Sequence, residues 1–155
     1  MRITVIGTGN VGATLGKGWA EVGHQVTFGT RDPSSDKVQQ LLSSLGGKAR
    51  AAATKEAVQV AVWSGGARVV KIFNTTGSDN MASPHYGEQA ATMFYAGDDA
   101  EANQIAAQLA RDLGFEPVDA GPLANARLLE PLAALWIYLA YPGGQGRRIA
   151  FKLLR

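Results

Sequence analysis

Near its start the chain reads Ile6-Gly7-Thr8-Gly9-Asn10-Val11-Gly12-Ala13, set between the short apolar run Arg2 to Ile6 and a stretch of helical periodicity. Three glycines at this spacing, where a strand turns into a helix, form a dinucleotide-binding fingerprint in its proper context. Gly7 permits the tight turn, Gly9 leaves the approach of a pyrophosphate unobstructed, and Gly12 lets the helix pack close to the strand. Phosphate oxygens then meet the unpaired N–H groups of the first helical turn. Thr8, Asn10 and Val11 are expected to line the same site. A glycine-rich turn of any α/β protein could share these letters, but the strand before them and the helix after them favour a nucleotide.

Selectivity among nucleotides is expected eighteen positions after Gly12, where the second strand, Gln25 to Gly29, ends in Thr30-Arg31. A site for NAD usually carries Asp or Glu here to hold the ribose hydroxyls, whereas a hydroxyl followed by a guanidinium suits a 2′-phosphate. Arginine grips phosphate through two parallel hydrogen bonds. Asp32 comes one residue late for the ribose role and is better placed to cap the next helix. Lys37, one turn into that helix, adds positive charge. These residues favour NADP over NAD.

Composition excludes several other classes. With no cysteine in 155 residues, thiol catalysis, disulfides and cysteine-ligated metals are ruled out. A net charge of +2, with basic residues scattered except at the C-terminus, gives little support to a nucleic-acid partner. No apolar run approaches a membrane span. Met1-Arg2 leads at once into a strand without the apolar region of a secretory signal, so a cytoplasmic location is expected.

The rest of the chain alternates strand and helix signals without a linker or repeat, which predicts a single NAD(P)-binding domain over residues 1–155. The expected fold is α/β and Rossmann-like: a doubly wound, mostly parallel sheet with helices on both faces and a C-terminal helical segment from about 122 to 155. A first helix spans Val11 to Val22 and ends at Gly23. Val38, Leu41, Leu42 and Leu45 mark a second helix, and Lys48 to Ala53 a third, less apolar strand. Arg68 to Asn74 is a nearly continuous apolar run, and Thr92 to Ala96 and Glu116 to Ala120 read as further strands. Asp98 or Asp99 caps a helix carrying Ala102, Ile105, Ala106, Leu109 and Leu113. A last helix runs from about Leu123 to Tyr141, with a kink or break expected at Pro131.

Several segments together resemble the deazaflavin-dependent, or coenzyme F420-dependent, NADP reductases, a family that includes the NADP-binding domains of some membrane ferric reductases. They are the opening fingerprint, Phe28-Gly29-Thr30-Arg31-Asp32, and the run from Arg68 through Phe73-Asn74-Thr75. Gly97-Asp98-Asp99-Ala100-Glu101, the stretch Asp119 to Glu130, and Gly146-Arg147 through Leu154 complete the set. The resemblance implies NADP as cofactor and a deazaflavin, coenzyme F420, or a flavin as hydride acceptor. It also places Asn74, Thr75 and Thr76 at the nicotinamide side.

One departure from the family stands out. Lys55 to Trp63 runs almost directly into the Arg68 strand, where relatives carry a further strand-helix-strand unit of roughly thirty residues. The fold is therefore expected to be reduced by an internal deletion. Thr54 to Ser64 reads as a helix, with an alternating strand through Val58, Val60 and Val62 as the rival. The missing strand would leave one edge of the first strand unpaired. Either the Arg68 to Asn74 strand moves into the place, or a second chain supplies a strand in a swapped dimer.

Hydride transfer between two bound cofactors needs proximity and alignment but no protein nucleophile, so no catalytic side chain is assigned. His24 is read as structural and His85 as part of a solvated loop, with pocket lining as its alternative; no His, Asp and Glu group has metal spacing. Leu128, Leu129, Leu132, Leu135, Trp136 and Leu139 form a broad apolar face, either core or intersubunit, and a homodimer is expected. Arg147, Arg148, Lys152 and Arg155 are solvated charge or a clamp for an anionic cofactor tail. The leading expectation is an oxidoreductase moving hydride between NADP(H) and a deazaflavin or flavin. The alternative is a non-catalytic NADP-binding module.

Overall fold

The computed structural model describes residues 1–30, 32–53 and 68–155, and of Ile6 the backbone alone. The chain forms two compact units, Met1–Ala67 and Arg68–Arg155.

The first unit is a run of β1 (Arg2–Ile6), α1 (Asn10–Glu21), β2 (Gln25–Thr30), α2 (Asp36–Ser44) and β3 (Ala49–Ala53). The strands form a parallel sheet in the order β1-β2-β3, with Arg2 opposite Gln25 and Val26 opposite Ala49. In-register parallel pairing with helical crossovers brings the carboxyl ends of all three strands to one edge, where ligands of open α/β sheets bind. Helix α1 buries Leu15, Trp19 and Ala20, and Phe28 of β2 is wholly buried. Removing a side chain of that size from water stabilises by about 1.5–3 kcal/mol. The closeness of this packing depends on Gly16, since a Cβ there would come within 2.5 Å of Phe28 Cζ. Gly23, at φ +95°, ends α1, and His24 N–H donates to Trp19 O (3.0 Å) while its Nδ1 lies 3.1 Å from the terminal amine. His24 is thus tied into the helix end and the chain terminus.

The second unit contains β4 (Val70–Lys71), α3 (Ser78–Ala82), the hairpin β5 (His85–Tyr86) and β6 (Gln89–Ala90), β7 (Thr92–Gly97), α4 (Ala100–Asp112) and β8 (Glu116–Asp119). A 3₁₀ turn (Leu123–Asn125) then leads into α5 (Ala126–Ala140). Strand β7 pairs with β8 in parallel and with β4 antiparallel. The apolar run 68–74 therefore yields a two-residue strand partnered by β7, which corrects the expectation of a strand over Arg68 to Asn74. Two residues beyond the strand, Phe73 adopts φ +63°, a left-handed conformation that a bulky side chain occupies only under strain.

Pro131 does not break α5, which is helical from Ala126 to Ala140 with Leu129, Trp136 and Ala140 buried along its length. The region expected to be a loop around Asn80 to Gly87 instead holds α3 and a hairpin arm, with His85 exposed on β5. The reading of Thr54 to Ser64 as helix or strand falls outside the described residues.

Candidate nucleotide-binding site

At the carboxyl end of β1 the backbone turns through Gly7, whose φ of +99° suits glycine, and Gly7 N–H donates to Gly29 O of β2 (2.8 Å). Gly9 is the N-cap of α1 and has no side chain with which to cap it. The first-turn amides of a helix have no intrahelical acceptor, so a glycine cap leaves them to be satisfied by water or an anion. Space is available as well: a Cβ built on Gly9 meets no atom of the described residues within 4 Å. At Gly12 the reverse holds, because a Cβ would collide with Gly7 O and come to 3.2 Å from Val5 Cγ1. The two glycines thus have separate uses, one for contact between helix and turn and one for the approach of a ligand. Gly9, Asn10 and Val11 are exposed, and Thr8 is half-buried.

Two other predicted residues of this unit, Thr30 and Lys37, lie at and beyond the carboxyl end of β2. Thr30 is the last residue of β2, half-buried and opposite Ala53. Lys37 is exposed in the first turn of α2. Arg31 lies outside the described residues. Asp32 is occupied: its Oδ1 accepts from Ser34 N–H (3.0 Å) and Ser34 Oγ (2.6 Å), and Ser35 Oγ donates to its carbonyl (3.0 Å). These bonds hold its carboxyl below the usual carboxylate range, with the Ser34 hydroxyl the largest cause. The Asp32 carboxylate is engaged in the turn that precedes α2, whose N-cap is Ser35, so the expectation that Asp32 caps this helix is corrected.

In the second unit, Asn74, Thr75 and Thr76 follow the strained Phe73. Asn74 Nδ2 donates to Leu129 O (3.1 Å) and Glu130 Oε1 (3.2 Å), while its Oδ1 is buried with no hydrogen-bond partner among the described residues. Glu130 also pairs with Lys71, and these two contacts hold its carboxyl below the usual glutamate range, Lys71 contributing most. Thr75 is almost wholly buried with its hydroxyl on Met93 Sδ (3.8 Å), and the Thr76 hydroxyl accepts from Asn80 Nδ2 (2.8 Å). The polar side chains of this turn are therefore largely engaged inside their own unit.

Asn80 is the residue that sequence reasoning missed. Wholly buried, it donates to Ile149 O (2.6 Å) and Arg147 O (3.2 Å) as well as to Thr76, and accepts from Tyr86 OH (2.8 Å). It fastens the C-terminal segment to the unit, aided by Trp136 Nε1 on Ile149 O (2.7 Å) and Thr92 N–H on Phe151 O (2.9 Å). The basic end serves the same purpose. Arg147 pairs with Asp79, Arg148 donates to Ser83 O and His85 O and lies over the Tyr86 ring, and Lys152 pairs with Glu116. Three of the four cations that could have clamped an anionic tail are stitched to their own unit.

A groove in the first unit, lined by Arg2, Thr4, Thr27, Lys48 and Arg50, includes the amino-terminal residues of all three strands, away from the glycine turn. Among the described residues no group of His, Asp and Glu could hold a metal ion, and no helix is long and apolar enough to cross a membrane.

A strand, a glycine turn with bare amides and a close-packed helix are the features of a dinucleotide site, and the comparison with known families agrees. Residues 2–64 match the family of NADP oxidoreductases, coenzyme F420-dependent. The resemblance read from the sequence is thereby borne out. Over the whole of both chains the fold superposes on a candidate F420-dependent NADP reductase from Arthrobacter sp. FB24, with a TM-score of 0.82 and 25% identity. A hypothetical protein from Sinorhizobium meliloti, 22% identical, matches with a TM-score of 0.63 over 78% of this chain and 85% of its own, and supports the fold alone. The expected Rossmann-like α/β class holds. The matching family is one of NADP-dependent oxidoreductases, and its segment contains the glycine turn, Thr30, Arg31 and Lys37.

Proposed function

We propose that this chain is an NADP(H)-dependent oxidoreductase whose hydride partner is a deazaflavin, coenzyme F420, or a flavin. The observation that carries the reading is the uncapped first turn of α1, with open space over Gly9, inside the segment that matches the family. Gly7, Thr8, Gly9, Asn10, Val11 and Gly12 hold the pyrophosphate. Thr30, Arg31 and Lys37 take the 2′-phosphate, and Asn74, Thr75 and Thr76 serve the nicotinamide end. When bound, the nucleotide supplies hydride chemistry, which requires orientation from the protein and no nucleophile. In this reading residues 1–155 act as a single nucleotide-binding domain in a cytoplasmic homodimer.

Calorimetric titration with NADPH and NADH tests the binding half. Arg31→Ala is expected to weaken NADPH by about 1.5–3 kcal/mol, the worth of a charged hydrogen bond, and to leave NADH nearly unchanged. Equal losses would remove Arg31 from the site, and absence of heat with either nucleotide would end the proposal. A second reading, a nucleotide-binding module without turnover, is favoured by the internal engagement of the Thr75 and Thr76 hydroxyls. Saturable NADPH binding with no oxidation in the presence of either coenzyme F420 or FMN would select it.

A further inference from the structure

Helix α5 is apolar around most of its circumference. One side packs into its unit through Leu129, Trp136 and Ala140. Around the rest, Leu128, Leu135, Ile137, Tyr138 and Tyr141 are each between 47% and 59% exposed, with Leu135 and Tyr138 facing away from the unit and Leu128 and Ile137 on opposite flanks. No charged residue occurs from Pro131 to Gly146, so the exposed side has no polar rim of its own over most of its length. A helix apolar all round is normally covered on all sides, and an exposed patch of this kind marks an interaction surface.

We infer that this surface is the seat of a second copy of the same chain, with the two α5 helices antiparallel about a two-fold axis. The inference names the surface behind the homodimer proposed above and does not rest on the nucleotide site. Three features favour a copy over an unrelated partner. Leu128, Pro131, Leu135 and Tyr138 recur at the 3-4-3 spacing of a helix-pairing seam. An axis between Ala134 and Leu135 sets Leu128 against the other copy's Tyr141 and Pro131 against its Tyr138, so that aromatic side chains meet aliphatic ones and a small residue lies at the closest approach. Such an isologous arrangement satisfies both copies with one patch. The charges nearest the seam, Arg127 and Glu130, both lie at the amino-terminal end of α5, which antiparallel pairing sets at the two ends of the interface, so a charged peptide or nucleic acid finds no partner in its middle.

The area is also of the right order. Leu128, Leu135 and Tyr138 on the seam and Tyr141 beside it, each about half exposed, present roughly 400 Å². A standard interface takes about 800 Å² from each partner, within reach once the flanks of Pro131 and Ala134 and the stems of Arg127 and Glu130 are included.

Sedimentation equilibrium on the full chain should give twice the 16.3 kDa chain mass at micromolar concentration. Leu135→Glu, which sets like charges close together at the axis, should raise the dimer dissociation constant at least tenfold with the far-ultraviolet circular dichroism spectrum retained. Because the chain has no cysteine, Ala134→Cys supplies a single thiol close to the axis. It should form a disulfide-linked dimer under mild oxidation far faster than Gln40→Cys on α2, whether or not Leu135→Glu folds. A wild-type chain that stays monomeric, or a cross-linking rate for Ala134→Cys no faster than for Gln40→Cys, would overturn the inference and leave NADPH binding, measured separately, untouched.

Discussion

The turn from β1 into α1 and the turn from β7 into α4 both leave a strand with a parallel neighbour and enter a helix of twelve or thirteen residues. They differ in what meets the first helical amides. At α4, Asp99 is the N-cap and its Oδ1 accepts from Ala102 N–H (2.8 Å), while Asp98 Oδ1 accepts from Leu123 N–H (2.9 Å). At α1 the cap is Gly9, which offers no acceptor. One turn satisfies a first-turn donor with its own carboxylate and the other keeps its donors for an outside anion, even though an acidic or hydroxyl cap in place of glycine would have stabilised the first helix by about 0.3 kcal/mol.

The sharpest way to break the comparison is to give α1 the cap that α4 has. Gly9 has φ −71° and ψ −179°, ordinary cap geometry for any residue, and a Cβ there meets no atom of the described residues within 4 Å. Gly9→Asp is therefore expected to fold at least as stably as the wild type, with an unchanged or raised Tm. NADPH binding should fall on the order of 100-fold, because a carboxylate would occupy the donors and repel the pyrophosphate. If the affinity survives, the bare turn is not the phosphate site. Gly12→Ala probes the other half of the same device. Its Cβ would collide with a backbone oxygen, which cannot rotate away as a side chain can, so a loss of about 1–3 kcal/mol in stability is expected. Thermal denaturation without ligand measures it, and an unchanged Tm would mean that the helix and turn are less tightly apposed than described.

The first unit was legible because its signals are local. A period of two in the strands, a period of 3.6 in the helices and glycine at the turns predict β1 through β3 to within a residue or two, and the fingerprint defines the phosphate turn. The close approach of Gly16 to Phe28, by contrast, came from the structure alone. The second unit resisted for a physical reason: its decisive contacts are distant in sequence. Nothing around Phe73 predicts a positive φ for an aromatic residue, and nothing around Asn74 shows that its amide will meet Leu129 and Glu130, 55 and 56 residues away. Nothing around Asn80 shows that its amide will hold residues 147 and 149. The basic C-terminus could be recognised as basic, but which acid each cation would meet is a property of the folded unit.

The smaller effect lies at α4, and it tests whether a bare helix start is enough. Asp99→Ala removes the cap and also the contact of Arg68 with Asp99 (3.2 Å), while Asp99→Asn keeps a capping oxygen and loses only the ion pair. The first is expected to lower stability by about 1 kcal/mol, a Tm shift of roughly 2–4 °C, and the second by less, since exposed ion pairs contribute little. Neither should create a nucleotide site at α4. Exposed donors there would still lack the left-handed glycine and the close helix-to-turn contact that Gly7 and Gly12 provide at α1. A gain of NADPH affinity assignable to α4 in Asp99→Ala would show that free amides suffice, and would reduce those two glycines from components of the site to ordinary turn residues.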